Sequence, residues 1–125
     1  MTLTDIIHWT HVPIPADVAS GTIDLAIGQA GSGHPVGLVM AGVHGDEGPW
    51  GAWAIHKFLE QTDAAELAGS LRIVPAANPL AMQADVRYAP PDSIDLYGIF
   101  PGNPQGSHSE RLAAVLSMQS TALMS

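Results

Sequence analysis

The chain has no cysteine. That excludes a disulfide framework, a thiolate metal site and a cysteine nucleophile. Positive charge is almost as scarce, with four Lys and Arg against twelve Asp and Glu in 125 residues, a net charge of −8. Phosphate backbones and anionic membrane surfaces both demand clustered cations, so neither nucleic acid nor membrane is an expected partner. Long apolar runs are missing too. The longest, counting glycine, is Val36 to Val43, far short of the roughly 20 residues of a membrane helix. The first basic side chain is Lys57, so the positive start of a secretory signal is lacking. The expectation is a soluble, cytoplasmic protein.

What is present is enough for one core. Apolar residues make up 46% of the chain, and a single domain over residues 1–125 follows from the length. Thirteen glycines and ten prolines make it loop-rich, yet below the roughly 25–30% of low-complexity chains. Ile6 to Pro15 reads as an edge strand or an arm. Ile23, Leu25 and Ile27 alternate with Thr22, Asp24 and Ala26, the period of a half-buried strand. Gly31-Ser-Gly-His34-Pro is a turn by its composition, so a β-hairpin is expected across it. Pro35 to Gly45 reads as a strand covered on both faces.

Pro49 to Gln61 reads as a helix, with Pro49 in its first turn and a buried stripe of Trp50, Ala54, Ile55, Phe58 and Leu59. Leu71 to Pro75 is a further strand, which makes a βαβ unit with a parallel pair. Ala76 to Gly106 reads as one long loop, and a loop of that length points to function. Ser107 and Glu110 form a capping box that starts a last helix, with Leu112, Val115 and Leu116 on its stripe. The fold class is α/β.

The strongest chemical signal is His44-Gly45-Asp46-Glu47, where a strand ends and a helix begins. An imidazole and a carboxylate three residues apart across such a bend suit a zinc ion, which takes both donor types. Strand ends are also where α/β sheets place ligands. A plain strand-to-helix turn, with its acids favouring the helix dipole, would look the same in sequence. His34 and His56 read as ordinary turn and helix-face residues, and Trp50 and Trp53 as core. His8 and His11 are an alternative second metal site.

Gly42-Val-His-Gly-Asp-Glu-Gly48 resembles the first zinc motif of the succinylglutamate desuccinylase and aspartoacylase family, within the zinc-carboxypeptidase-like hydrolases. Arg72-Ile-Val-Pro-Ala-Ala-Asn78-Pro79-Leu-Ala81 resembles that family's strand and Asn-Pro turn. Arg87 and then Asp95-Leu-Tyr-Gly-Ile-Phe100-Pro-Gly102 follow in order, against Asp-Leu-Asn-Arg-x-Phe-Pro-Gly in the family. The resemblance runs from about Thr22 to Arg111. It implies a partial zinc-carboxypeptidase-like sheet, with His44 and Glu47 as zinc ligands and Arg87 as the catalytic residue that polarises a scissile carbonyl or stabilises its oxyanion. Arg87 and Tyr97 are the implied substrate-binding residues. The implied reaction is zinc-dependent hydrolysis of N-acyl amino acids or related small amides.

Two departures shape the expectation. The family's Asn-Arg pair, which grips a substrate carboxylate, is Tyr97-Gly98 here, and glycine cannot form a bidentate ion pair. The family's third zinc ligand and general-base Glu come later than the last residue of this sequence. The expected chain is therefore the N-terminal portion of a catalytic domain, inactive alone, with self-association through an incomplete sheet. His108, after the Phe-Pro-Gly loop, is the candidate substitute for the third ligand. The alternatives are a carboxypeptidase-like metallopeptidase and a non-catalytic fragment acting by association.

Overall fold

A computed structural model describes residues 1–16 and 21–121. After a short helix α1 (Leu3–Ile6) come β1 (His8–Pro15), β2 (Thr22–Gly31), β3 (Val36–Met40), α2 (Gly48–Gln61), β4 (Ser70–Val74), α3 (Pro79–Ala84) and α4 (His108–Thr121). The four strands form one mixed sheet in the order β1-β2-β4-β3. β1 and β2 are antiparallel, with Val12 opposite Leu25. β2 and β4 are also antiparallel, while β3 and β4 run parallel with Leu38 opposite Arg72. The βαβ unit β3–α2–β4 is thus as the hydrophobic pattern predicts.

The hairpin is present but has a different partner. β2 pairs with β1, and β3 does not touch it across the Gly31–Pro35 turn; β4 lies between them. The start of β4 threads into the crook of that turn. The Ser70 amide donates to the Pro35 carbonyl at 2.9 Å, the Ser32 amide to the Gly69 carbonyl at 3.1 Å, and the Ser70 hydroxyl to the Gly33 carbonyl. Gly31 and Gly69 both have positive φ, and a Cβ on Gly31 would come within 2.2 Å of the Gly69 carbonyl oxygen. Only glycine allows the backbones to approach this closely.

Apolar residues cover both faces of the sheet. On one side Ile14, Leu25, Ile27, Val74, Leu96, Leu112 and Leu116 form a core with α4. On the other, Leu3, Ala30, Ile55, Leu59 and Ile73 form a second core with α1 and α2. Strand β2 supplies both layers, because successive residues point to opposite faces.

The expected stripe of α2 is wrong in its aromatic members and in Ala54, which is exposed. Ile55 and Leu59 are buried, but Trp50 is 79% exposed, Trp53 62% and Phe58 44%. The helix lies on its small residues. A Cβ on Gly51 would sit 2.6 Å from Ala41 Cβ, and one on Gly48 would overlap Met82. That spacing leaves no room for indole beneath the helix.

The expected long loop also contains structure. Asn78-Pro79 opens α3 with Pro at a position where no N–H is needed, and Leu96–Gly98 forms a single 3-10 turn. The capping box of α4 is modified. Glu110 accepts from the Ser107 amide at 3.3 Å, while the Ser107 hydroxyl donates to Asp92 at 2.7 Å. Asp92 thus caps the helix from the loop, accepting also from the amide and hydroxyl of Ser109, each at 2.7 Å. No helix among the described residues is long and apolar enough to cross a membrane.

Two predictions follow from this packing. Partial burial disfavours charge on Asp92, but hydrogen bonds from Ser109, Ser107 and Ile94 outweigh it and hold the carboxyl below the usual carboxylate range. Its stabilising contribution is complete above the unfolded carboxyl pKa of about 3.9 and is lost as pH falls through the lower folded value. In thermal melts, acidification from pH 5 to pH 3 should lower Tm more in the wild type than in Asp92→Asn. Parallel pH profiles for the two proteins would refute this. The second prediction concerns β3, which has a strand partner on one side only among the described residues. With Trp50, Trp53 and Met118 exposed as well, the chain should self-associate. A single monomeric boundary in sedimentation velocity at high concentration would count against it.

Candidate active site

The His44 turn is built by close backbone packing. Beyond β3 the Val43 carbonyl accepts from the buried Asn78 side chain at 3.2 Å, which ties the strand exit to the start of α3. The Gly45 amide donates to the Arg87 carbonyl at 3.4 Å. A Cβ at Gly45 would lie 2.1 Å from the Ala81 carbonyl carbon and 2.4 Å from the Val86 oxygen. Gly45 therefore lets the turn press against α3 and the bend after it, and this contact carries Arg87 to His44 and Glu47.

Four side chains meet there. His44 Nδ1 lies 3.5 Å from Glu47 Oε2, and His44 Nε2 lies 3.0 Å from Asp95 Oδ1. Arg87 Nη1 is 3.9 Å from Glu47 Oε1. The His44 side chain is 14% exposed and that of Glu47 68%, so the imidazole is enclosed while the carboxylate faces outward. Tyr88 closes one side: its ring centre is 6.4 Å from that of His44, edge-on, and 5.8 Å from the Arg87 guanidinium carbon.

The charges reinforce one another. The hydrogen bond from His44 holds the Asp95 carboxyl below its ordinary range against the opposing effect of burial, with the Tyr97 amide adding to it. The Arg87 guanidinium is raised by its hydrogen bond with Tyr88, partly opposed by desolvation and helped by Asp95 and Glu47. Asp95 accepts from the Tyr97 amide at 3.1 Å and so also caps the 3-10 turn.

A metal fit can be tested on this donor set. Two donors on bonds of about 2.0–2.1 Å at a tetrahedral angle stand roughly 3.4 Å apart. The 3.5 Å between His44 Nδ1 and Glu47 Oε2 matches that separation. Asp95 on the opposite ring nitrogen stands where a carboxylate would fix the tautomer and orientation of an imidazole that holds a metal. The pair fits zinc.

The other sequence candidates are placed differently. Tyr97 is 75% exposed and makes its contact to Asp95 through its backbone amide. His108 is not brought to His44. It is fully buried at the start of α4, with Nδ1 2.8 Å from the Pro15 carbonyl oxygen. His8 and His11 are both exposed on β1, and three residues along a strand put them on opposite faces. Among the described residues no three of His, Cys, Asp and Glu are arranged to hold one metal ion. Asp95 is the site residue that sequence reading did not single out. Its signal was there, as the first residue of Asp95-Leu-Tyr-Gly, but nothing local shows that it reaches back 51 positions to His44.

Comparison with known proteins gives consistent relatives. The signature of the succinylglutamate desuccinylase/aspartoacylase catalytic domain matches residues 34–124. The N-alpha-acetyl-L-2,4-diaminobutyric acid deacetylase of Halomonas elongata is 36% identical over 105 residues, covering 84% of this chain and 28% of that protein. The crystal structure of an aspartoacylase family protein from Mesorhizobium loti superposes with a TM-score of 0.77 at 32% identity, over 94% of this chain and 38% of that one. A protein of Shewanella denitrificans provisionally assigned to carboxypeptidase A shares the fold, with a TM-score of 0.72 at 15% identity, over 94% of this chain and 32% of that one. The chain spans about a third of the length of these relatives.

Proposed function

The chain belongs to the succinylglutamate desuccinylase/aspartoacylase family, and on that footing we propose that it supplies the His44–Glu47 half of a zinc site that hydrolyses the amide bond of N-acyl amino acids. The observation that carries this reading is the enclosed His44 imidazole, with Glu47 on one ring nitrogen and Asp95 on the other. The family is zinc-dependent. His44 Nδ1 and Glu47 Oε2 would hold the ion, and Asp95 keeps the proton on Nε2 so that Nδ1 stays bare. Zinc bound there would acidify a water and polarise a carbonyl.

The chain's own residues do the rest of what this half can do. Arg87 stands beside Glu47 with its side chain half exposed, where it can donate to a carbonyl oxygen as negative charge develops on it. Tyr88 holds that guanidinium against its ring, which limits the freedom that a flexible cation loses on binding. Tyr97, exposed two residues beyond Asp95, is the second candidate to touch substrate. Among the described residues no third ligand joins this pair, so the 125-residue chain alone should not turn over.

The relative from Halomonas elongata is named for an acetylated amino acid that carries an extra amine. An acyl substrate with a neutral or basic amino-acid part suits a surface where Glu47 and Asp95 flank the Arg87 cation. The carboxypeptidase-like reading ranks below this one, because Gly98 offers no charge to a peptide C-terminus.

The test is acetate release from N-acetyl amino acids in excess zinc. The 125-residue chain should release none. The same chain continued with the remaining two thirds of a solved relative's domain should release acetate, and Glu47→Ala should stop it. Hydrolysis by the isolated chain, or none by a continued chain shown to hold zinc, would overturn the proposal.

A further inference from the structure

We infer that Asp92 is a positioning residue for His44, acting through Asp95; this rests on the zinc-site reading above. The segment that carries Asp95 belongs to a stretch with little regular structure. It is fixed at two points three residues apart. At one, Asp92 spends both carboxylate oxygens on the start of α4: Oδ2 accepts from the Ser107 hydroxyl and the Ser109 amide, and Oδ1 from the Ser109 hydroxyl, all at 2.7 Å. Ser109 is fully buried. At the other, Asp95 Oδ1 meets His44 Nε2 at 3.0 Å.

The link between these points is short and bent. Ser93 takes φ +52°, in the left-handed region that non-glycine residues rarely occupy, and its amide is tied to the Ala89 carbonyl at 2.8 Å. A left-handed serine persists only where the surroundings hold it. Three residues span at most about 10 Å when extended, so a shift at Asp92 is not absorbed before Asp95. α4 is itself set on the sheet by Leu112, Ala113 and Leu116. The contacts therefore run from the sheet through α4 and Asp92 to Asp95, and so to the imidazole. Leu96, buried in the same core, anchors the far side of Asp95 and fixes its depth. Asp92 fixes the turn that aims its carboxylate.

The readout is the tautomer of His44 in the metal-free protein, from long-range 1H–15N spectra at one pH where imidazole is neutral. Wild type should show the Nε2–H form almost alone. Asp95→Asn should show a mixture, as the positive control. Asp92→Asn places an amide N–H or a weaker acceptor against the Ser107 and Ser109 donors. It should lower the ratio of Nε2–H to Nδ1–H at least fivefold, with core methyl shifts of Leu25 and Leu116 unchanged, and weaken zinc binding about tenfold. A wild-type tautomer ratio in folded Asp92→Asn, with Asp95→Asn shifted, would refute the inference. If Asp92→Asn does not fold, Ser107→Ala decides, since it removes one of the three bonds: a smaller shift in the same direction supports the inference and none refutes it. The zinc-site reading fails separately, if His44→Ala leaves zinc binding intact.

Discussion

Zinc titrated into the 125-residue chain should bind one-to-one and weakly, and His44→Ala should abolish the binding. A working zinc site uses three protein ligands and an open position, and here His44 and Glu47 are the two side chains whose donor atoms stand at ligand spacing. Loss of the imidazole leaves one outward-facing carboxylate, which binds zinc no better than other surface acids, so a drop of at least 100-fold is expected. Glu47→Gln removes the charge and should cost about as much. Asp95→Asn leaves both donors but frees the ring and should cost about 10- to 100-fold, the usual effect of an outer-shell partner. His108→Ala should leave zinc affinity alone and lower Tm, because its ring is buried and bonded to the Pro15 carbonyl. Isothermal titration with melts of each variant reads both effects. Tight binding by the wild type, or binding that survives in His44→Ala, would contradict the assignment.

Gly98→Arg should turn the zinc-loaded chain toward anionic ligands. A Cβ at Gly98 would meet nothing within 4 Å, and the residue is not among the glycines with positive φ. The position is therefore open to a side chain without strain, and its glycine is a choice about charge and space rather than a demand of the backbone. It lies three residues from Asp95, on the same 3-10 turn. A guanidinium there adds a second cation to one dominated by carboxylates. Hydrogen bonds to charged groups contribute about 1.5–3 kcal/mol; exposure puts this one at the low end, near a tenfold change. NMR titration should show N-acetylaspartate binding about tenfold tighter to Gly98→Arg than to wild type, with neutral N-acetylalanine amide unchanged. Wild type should favour the neutral ligand. Equal gains for both ligands would show that the arginine adds contact rather than charge recognition, and wild-type preference for the dicarboxylate would overturn the reading of Gly98.

Elements with strong periodicity were legible one residue at a time. The alternation of Ile23, Leu25 and Ile27 places β2 correctly because a strand's faces are set by local geometry. The Pro49 start of a helix, the β3–α2–β4 unit and the start of α4 are likewise local signals. The hairpin partner was not legible. Glycine and proline announce that the chain turns at Gly31–Pro35, but not that Gly69 and Ser70 enter the turn from 37 positions away. The buried face of α2 was misread for a related reason. Hydrophobicity favoured the two tryptophans, whereas the helix packs on Gly48 and Gly51, because closeness to Ala41 and Met82 decided the face.

The candidate site divides in the same way. His44 and Glu47 could be paired from sequence by themselves, since three residues across one bend cannot lie far apart. Composition alone also determined that no cysteine chemistry operates in these 125 residues, because that follows from which atoms are present. Tertiary structure alone decided that Asp95 reaches the far nitrogen of His44, that Arg87 is carried in by its backbone contact with Gly45, and that His108 is spent on the Pro15 carbonyl. Those contacts join residues 42 to 93 positions apart in sequence. Such a contact depends on how several packed surfaces come to rest against one another, and no single stretch of sequence carries that information.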